Sequence, residues 1–450
     1  MTGAERRATF GLAGVYGFRM LGLFLILPVF ALYAEKLPGA TPLLTGLAIG
    51  IYGLTQAVLQ IPFGLLSDRI GRKPVIIGGL VLFAIGGVVA ALADDIWLIV
   101  VGRAIQGSGA VAAAVMALAA DLTREENRTK AMATIGVTIG ASFMLAMLVG
   151  PLLGKLIGVS GIFWVTAVLA LLGIALVGLV VPTPSRSSVH RDAEPVPAMF
   201  RRVLREADLL RLDFGIFSLH LILTSLFLAV PLVLRDLGLA TAQHSMLYLP
   251  VMLGSIVAMV PFVILAERRG LMKQVFVGAV ACLAVAQFGL GELSGHLWGF
   301  VAALALFFTA FNLLEATLPS LVSKVAPVDA KGTAMGVYST SQFGGAFVGG
   351  VAGGWVHQHL GLSGVFLFGA SVAVVWLLVA SGMRKPGRYA SRLVHLTAGG
   401  RDTGELAARL RGMPGVIEAV IVADEGVAYL KVDRDRFDDV ALGEIVAGPA

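Results

Sequence analysis

Two groups of charged residues in this sequence could do chemistry. Arg19, Arg103, His220 and Glu315 each stand alone in a long apolar run, with Asn312 and Gln342 as further polar groups in such runs. An ionisable side chain in hydrocarbon costs several kcal/mol unless it is paired or hydrated, so each is a candidate for binding a proton or a solute. Glu315 is the only acid well inside an apolar helix and is expected to be the carboxylate that binds and releases a proton. Arg103 reads as a coupling or solute-contact residue and Arg19 as the same or as a structural cation. His220 reads first as a packing residue. The second group is a cluster: Asp68, Arg69, Arg72 and Lys73 fall within six residues, framed by Gly64 and Gly71, where one apolar run stops and another begins. Charges in so tight a turn can pair across it.

The elements that hold these residues follow from hydropathy. Apolar segments of about 20 residues are long enough to cross a bilayer. Twelve are predicted: 9–33, 42–66, 74–93, 96–121, 131–154, 161–182, 211–234, 245–266, 273–292, 297–322, 332–356 and 362–383. Lys and Arg crowd one set of connections, including Arg6, Arg7, the 69–73 cluster, Arg124, Arg128, Lys130, the six arginines from Arg186 to Arg211, and Arg268, Arg269 and Lys273. The opposite connections hold only Lys36, Lys155 and Arg235. The positive-inside bias then predicts that both termini are cytoplasmic.

Composition agrees with that class. Of 450 residues, 57% are hydrophobic and 14% charged, the mean hydropathy is +0.89, and there are 56 glycines. Soluble domains carry about 25% charged residues. The net charge of +6 is explained by its placement and is no sign of nucleic-acid binding. A single cysteine, Cys282, rules out a disulfide framework or a cysteine metal site. No cleavable signal peptide is expected. No phosphate-binding loop and no nucleophile–base or metal constellation is found, so the expectation is a non-enzyme with no cofactor and no metal.

Internal repetition divides the chain. Pro62-Phe63…Asp68-Arg69-Ile-Gly71 recurs as Pro261-Phe262…Glu267-Arg268-Arg-Gly270, and Gly158-Val-Ser-Gly161-Ile-Phe163 as Gly361-Leu-Ser-Gly364-Val-Phe366. The expected organisation is a six-helix bundle over 1–182, a polar linker over 183–210, a second bundle over 211–383, a short linker over 384–390 and a soluble domain over 391–450. In the last, a strand (393–396), a helix (403–412), two strands (416–422 and 427–432) about an Asp424-Glu-Gly426 turn and a second helix (436–446) give a β-α-β-β-α order, the ferredoxin-like pattern lacking its last strand. Its acidic group, Asp433, Asp435, Asp438 and Asp439, suggests docking on the basic cytoplasmic surface. The predicted class is an all-α polytopic membrane protein of twelve helices in two six-helix pseudo-repeats, with a small α+β domain.

Gly64-x-x-x-Asp68-Arg69-x-Gly71-Arg72-Lys73, between two membrane-length segments, resembles the signature loop between helices 2 and 3 of the major facilitator superfamily. Arg103-Ala-Ile-Gln106-Gly107-Ser-Gly109 in helix 4 resembles a further signature. Gly140…Gly150-Pro151-Leu-Leu-Gly154 in helix 5 resembles that of the drug:proton antiporter branch. Leu212-Asp213-Phe-Gly-Ile-Phe-Ser-Leu-His220 and the runs Phe311–Lys324 and Lys331–Phe343 resemble the YajR-like subgroup, which also adds a small cytoplasmic domain.

The resemblance implies a monomeric inner-membrane transporter for small, drug-like solutes. It would couple their efflux to protons by alternating access, with helices 1, 4, 7 and 10 lining the cavity. Arg19, Arg103, His220 and Glu315 fall one on each. Several antiporters of this kind carry an acid in helix 1, where this chain has Arg19. The hairpin implies a latch, in which Asp68 meets the N-terminal end of helix 11 near Gly332 while Arg69, Arg72 and Asp121 complete a charge network. The alternatives are an uncoupled facilitator or importer of an anionic solute, with Arg19 and Arg103 as ligands, and a membrane sensor with the C-terminal domain as output.

Overall fold

The computed structural model describes residues 1–184, 196–384, 387, 389–395, 403–422, 427–433, 436–438 and 442. Helix α1 (Gly3–Phe24) opens on a capping box, in which Thr2 Oγ1 accepts from Glu5 N at 3.2 Å and Glu5 Oε2 accepts from Thr2 N at 2.6 Å. It breaks near Pro28 and resumes as the short α2 (Phe30–Ala34), together covering the first predicted span. Then come α3 (Pro42–Ile70), begun by Thr41 as N-cap, α4 (Arg72–Ala91), and α5 (Ile96–Ser108), capped by Asp95 and interrupted at Gly109 before α6 (Ala112–Asp121).

Helix α7 (Glu125–Leu179) has 55 residues, and straight at ~1.5 Å per residue it would far exceed a bilayer. It bends at Gly158, whose φ of +69° is open to glycine at little cost, and so makes two spans. The second half repeats the plan. After the short α8 (Phe200–Val203) come α9 (Ala207–Asp236), α10 (His244–Arg268), α11 (Met272–Glu292), α12 (Leu297–Val325) and α13 (Lys331–Ser381). Helix α13 bends at Gly361, with φ +73°. Both bends fall at the repeated Gly-x-Ser-Gly sequence. Nine helices are apolar and long enough to span; the two bent ones each count twice, and broken α1–α2 adds a last span, for twelve among the described residues.

Lipid gives helices no hydrophobic reason to associate, so close packing must hold them. Glycine provides it where the halves meet. Gly46, Gly50 and Gly53 of α3 lie against Phe343, Phe347, Gly350 and Gly354 of α13, backbone on backbone. A methyl group added to Gly50 would stand 2.8 Å from the Phe347 carbonyl oxygen. This seam lies toward the face opposite the termini. An ion pair between Glu35 and Arg235 and a bond from Leu43 N to Gln358 Oε1 at 3.4 Å join the halves there as well.

The C-terminal domain contains β1 (Tyr389–His395), α14 (Thr403–Arg411), β2 (Val416–Val422) and β3 (Val427–Asp433). The antiparallel sheet runs β1-β3-β2, a split β-α-β arrangement. Strand β1 starts inside the stretch expected as a linker. The predicted helix 436–446 and the Asp424–Gly426 turn lie largely or wholly outside the described residues. Alternation along β3 separates two faces: Ala428, Leu430 and Val432 pack on Leu406 and Leu410, while Val427 and Tyr429 cover Val328 in the α12–α13 turn.

Candidate functional site

The four intramembrane ionisable residues assemble as two pairs, one in each half. In the first half, Arg19 is wholly buried and donates from Nη2 to Tyr52 Oη at 2.7 Å and to Gln56 Oε1 at 2.5 Å. Its guanidinium carbon lies 5.9 Å from the Tyr52 ring centroid and 5.7 Å from that of Phe83. Arg103, on α5, approaches the same Tyr52 ring at 4.9 Å, and donates to Gln106 Oε1 at 3.0 Å and to the Ala48 carbonyl at 3.4 Å. Tyr52 and Gln56 are one turn apart on α3, so both reach the same point on α1. Each cation–π contact is worth roughly 0.5–2 kcal/mol, against several for a charge in hydrocarbon.

In the second half, His220 on α9 and Glu315 on α12 place Nε2 and Oε1 3.4 Å apart. Gln342 on α13 brings its Nε2 to 2.9 Å from the same imidazole nitrogen, and the tautomer decides which group donates. The Glu315 side chain is 31% exposed, while Oε1, the atom facing His220, is buried and takes no hydrogen bond among the described residues. Tyr338 of α13 lies within electrostatic reach of Glu315 and of Asp213, which is itself buried on α9. Neither Asp213 nor Tyr338 is marked as a site residue by the sequence alone. Asp213 is thus a second acid buried on a membrane-length helix of this half, near the start of α9, whereas Glu315 lies farther inside its own helix. His220 faces the carboxylate instead of serving simply as packing. Asn312 turns elsewhere, donating to Ser255 Oγ of α10 at 2.9 Å.

At the face carrying the termini, the charge cluster closes on itself. Arg72, only 3% exposed, is its hub: it pairs with Asp68, donates to Ser67 Oγ at 2.8 Å and lies 3.3 Å from Asp121 Oδ2 of α6. Gly71, with φ +98°, makes the turn that folds Arg72 back over Asp68, and a Cβ on Gly64 would come 3.1 Å from Ala113. Lys73 donates to the Val181 carbonyl at 2.6 Å, tying the hairpin to the end of α7. Arg69 is exposed and takes no part in these bonds. The expected contact of Asp68 with the start of α13 is not among the hydrogen bonds of the described residues. There, Thr333 Oγ1 accepts from Val196 N at 2.8 Å, and Gln60 Nε2 reaches the Gly336 carbonyl at 3.3 Å.

In the helix 5 motif, Gly150 and Gly154 press on the α1–α2 break at Leu25, Pro28 and Val29, with Pro151 buried between them. Gly140 faces open space, so close helix contact explains only the later part of the motif.

Among the described residues, the C-terminal domain meets the second half at α8 and the α12–α13 turn. Arg202 of α8 reaches Asp329 at 2.9 Å and Glu418 of β2 at 2.6 Å. Lys431 donates to the Val325 and Ala326 carbonyls at 3.2 and 3.3 Å, satisfying the C-terminal end of α12. Burial lowers the Lys431 ammonium from the usual lysine value, with Glu418 and Glu206 opposing. Docking thus uses Glu418, Lys431 and an apolar patch; of the acidic group expected to dock, Asp435 and Asp439 lie outside the described residues.

The comparisons agree with this geometry. A family model described as Major Facilitator Superfamily matches residues 12–251 and 212–414. The inner membrane transport protein YajR of Escherichia coli (strain K12) is 52% identical over 441 residues, 97% of this chain and 97% of that protein. The multidrug resistance protein MdtH of Yersinia pestis (strain Pestoides F) is 24% identical over 341 residues, 75% of this chain and 84% of that protein. The crystal structure of the human organic anion transporter MFSD10 matches with a TM-score of 0.62 at 20% identity, covering 84% of this chain and all of that one, a likeness of fold. With its twelve spans, its repeated halves and its charged hairpin, this chain belongs to the major facilitator superfamily and is of YajR-like type.

Proposed function

We propose that this transporter exports small, drug-like solutes across the inner membrane in exchange for protons, by alternating access and as a monomer with both termini in the cytoplasm. The observation that carries the reading is the partly exposed Glu315 side chain, with Oε1 3.4 Å from His220 Nε2, a nitrogen that Gln342 also approaches. A carboxylate beside a titratable neighbour, on a side chain that is neither sealed off nor fully solvated, can take a proton in one state and release it in the other. The multidrug resistance name of the MdtH relative supports efflux as the direction.

Alternating access requires two sets of contacts between the halves, only one of which closes at a time. The glycine seam and the Glu35–Arg235 pair act as the closure on the face away from the termini. The Arg72 hub, bonded within its own half, acts as the released form of the cytoplasmic latch.

The test uses purified protein in liposomes loaded with a pH-sensitive dye and challenged with lipophilic cations and small anions. Solute-evoked proton flux in wild type, lost in Glu315→Gln, is the expected result. Solute movement with no proton flux in wild type would overturn coupling.

A further inference from the structure

We propose that the cluster formed by Arg19, Tyr52, Gln56, Arg103 and Gln106 is a binding site for a compact monoanion, free or as the carboxylate of a solute. It deepens the transport reading by naming a ligand class, and rests on that reading only for the ligand's being carried.

The charge balance comes first. None of the first half's predicted spans contains an Asp or Glu apart from Asp121 at the cytoplasmic end of the fourth, and that residue is engaged by Arg72. Arg19 and Arg103 are the interior charges of this half, both positive and both within 6 Å of one tyrosine ring. Two like charges in a low-dielectric interior repel strongly and gain little from a shared ring.

The hydrogen-bond balance points the same way. Arg19 Nε and Nη1 are buried and have no acceptor among the described residues, and the same holds for Gln56 Nε2 and Gln106 Nε2. The orientation of both amides is set by the arginines, because a guanidinium has only donors, and whatever it bonds must be the amide oxygen. Each glutamine therefore turns its oxygen to an arginine and leaves its NH₂ group unused. Gln56 and Gln106 are both wholly buried. A pocket awaiting water alone would show unused donors and acceptors together. Within this cluster the unused groups, from α1, α3 and α5, are all donors, the buried unused acceptor Gln60 Oε1 lying a turn farther along α3, and the group that satisfies donors and offsets two cations at once is an anion. A carboxylate or a halide fits this demand; a cation does not.

The test measures melting of the purified full-length protein in detergent by tryptophan fluorescence, at constant sodium and ionic strength, with chloride or benzoate replacing the bulkier isethionate. Saturable stabilisation is expected, with affinity about tenfold or more weaker in Arg19→Gln and Arg103→Gln. Arg19→Lys, which keeps the charge but not the planar donors, should weaken it less and guards against misfolding of the glutamine variant. Response to chloride and benzoate alike would identify a general anion site, and response to benzoate alone a solute carboxylate. Glu315→Gln should keep the full anion response, so failure of proton coupling leaves this result standing. An identical, non-saturating response in wild type and in all three arginine variants would overturn the proposal.

Discussion

His220 Nε2 is shared: Glu315 Oε1 stands 3.4 Å from it and Gln342 Nε2 stands 2.9 Å from it. When the amide donates to this nitrogen the imidazole is neutral there, and a proton on the nitrogen requires Gln342 to turn its oxygen inward or withdraw. Gln342 is on α13, the helix that forms the inter-half seam, so proton position and helix position are linked through one amide. Replacing His220 by Ala should slow solute-evoked proton flux by about 10²-fold, the usual size of a general acid–base contribution. Gln342→Ala should shift the pH of half-maximal flux more than the maximum. Initial rates across a pH series check both, and unchanged rates in His220→Ala would remove the histidine from the pathway.

The Arg72 hub predicts a stability effect. Arg72→Ala takes a partner from Asp121, whose side chain is fully buried. Breaking a buried pair costs on the order of 3–5 kcal/mol. The melting temperature in detergent should fall by several degrees, with a smaller loss in Arg72→Lys. Arg69→Ala, at an exposed position outside the network, should melt as wild type does.

The glycine seam predicts a conformational effect. A leucine at Gly350 would collide with the α3 backbone at Gly46 and Gly50. The seam would be forced open, and transport should stop while folded protein is still made. Thiol labelling of a cysteine placed at Leu43, in a background with Cys282 replaced, should become faster in Gly350→Leu. Equal labelling would mean that the seam is not a closure.

Glu5 lies ahead of the first span, in the α1 capping box, and predicts a pH dependence. The hydrogen bond from Arg124 foremost, with the backbone N–H groups of Thr2 and Arg124, holds its carboxyl well below the usual carboxylate range. A lowered folded-state pKa stabilises fully above the unfolded value of about 4.3 and is lost as pH falls through the folded one. Wild type should therefore melt above Glu5→Gln at neutral pH, and the gap should narrow below about pH 4. A gap that widened on acidification would contradict the assignment.

Much of this architecture could be read in the sequence because membrane insertion leaves so few options. Span length, the bias of Lys and Arg and the repeated Gly-x-Ser-Gly all report single segments facing lipid or water, which one chain read in order can reveal. Partnership between helices is not local, and no single segment reports it. Tyr52 and Gln56 look like ordinary polar interruptions of α3 until Arg19 is found opposite them. Asp213 stands near the predicted start of its span and gives no local sign of a partner, whereas in α9 it is buried within electrostatic reach of Tyr338 of α13. Helix-dipole grounds point Asp68 at the α13 terminus, yet Arg72, four residues on, pairs with it, because the Gly71 turn returns it. Strand β1 starts early because Tyr389 pairs with Asp433 and covers Lys431, a distant contact that the local composition does not announce.

The bends at Gly158 and Gly361 leave the last two helices of each half joined with almost no connecting chain. A joint without slack cannot absorb displacement. Each such pair turns at the face away from the termini, so its two spans are tied most closely there. The two bends sit at equivalent places in the two halves, so each half carries the same tight joint at the same membrane surface.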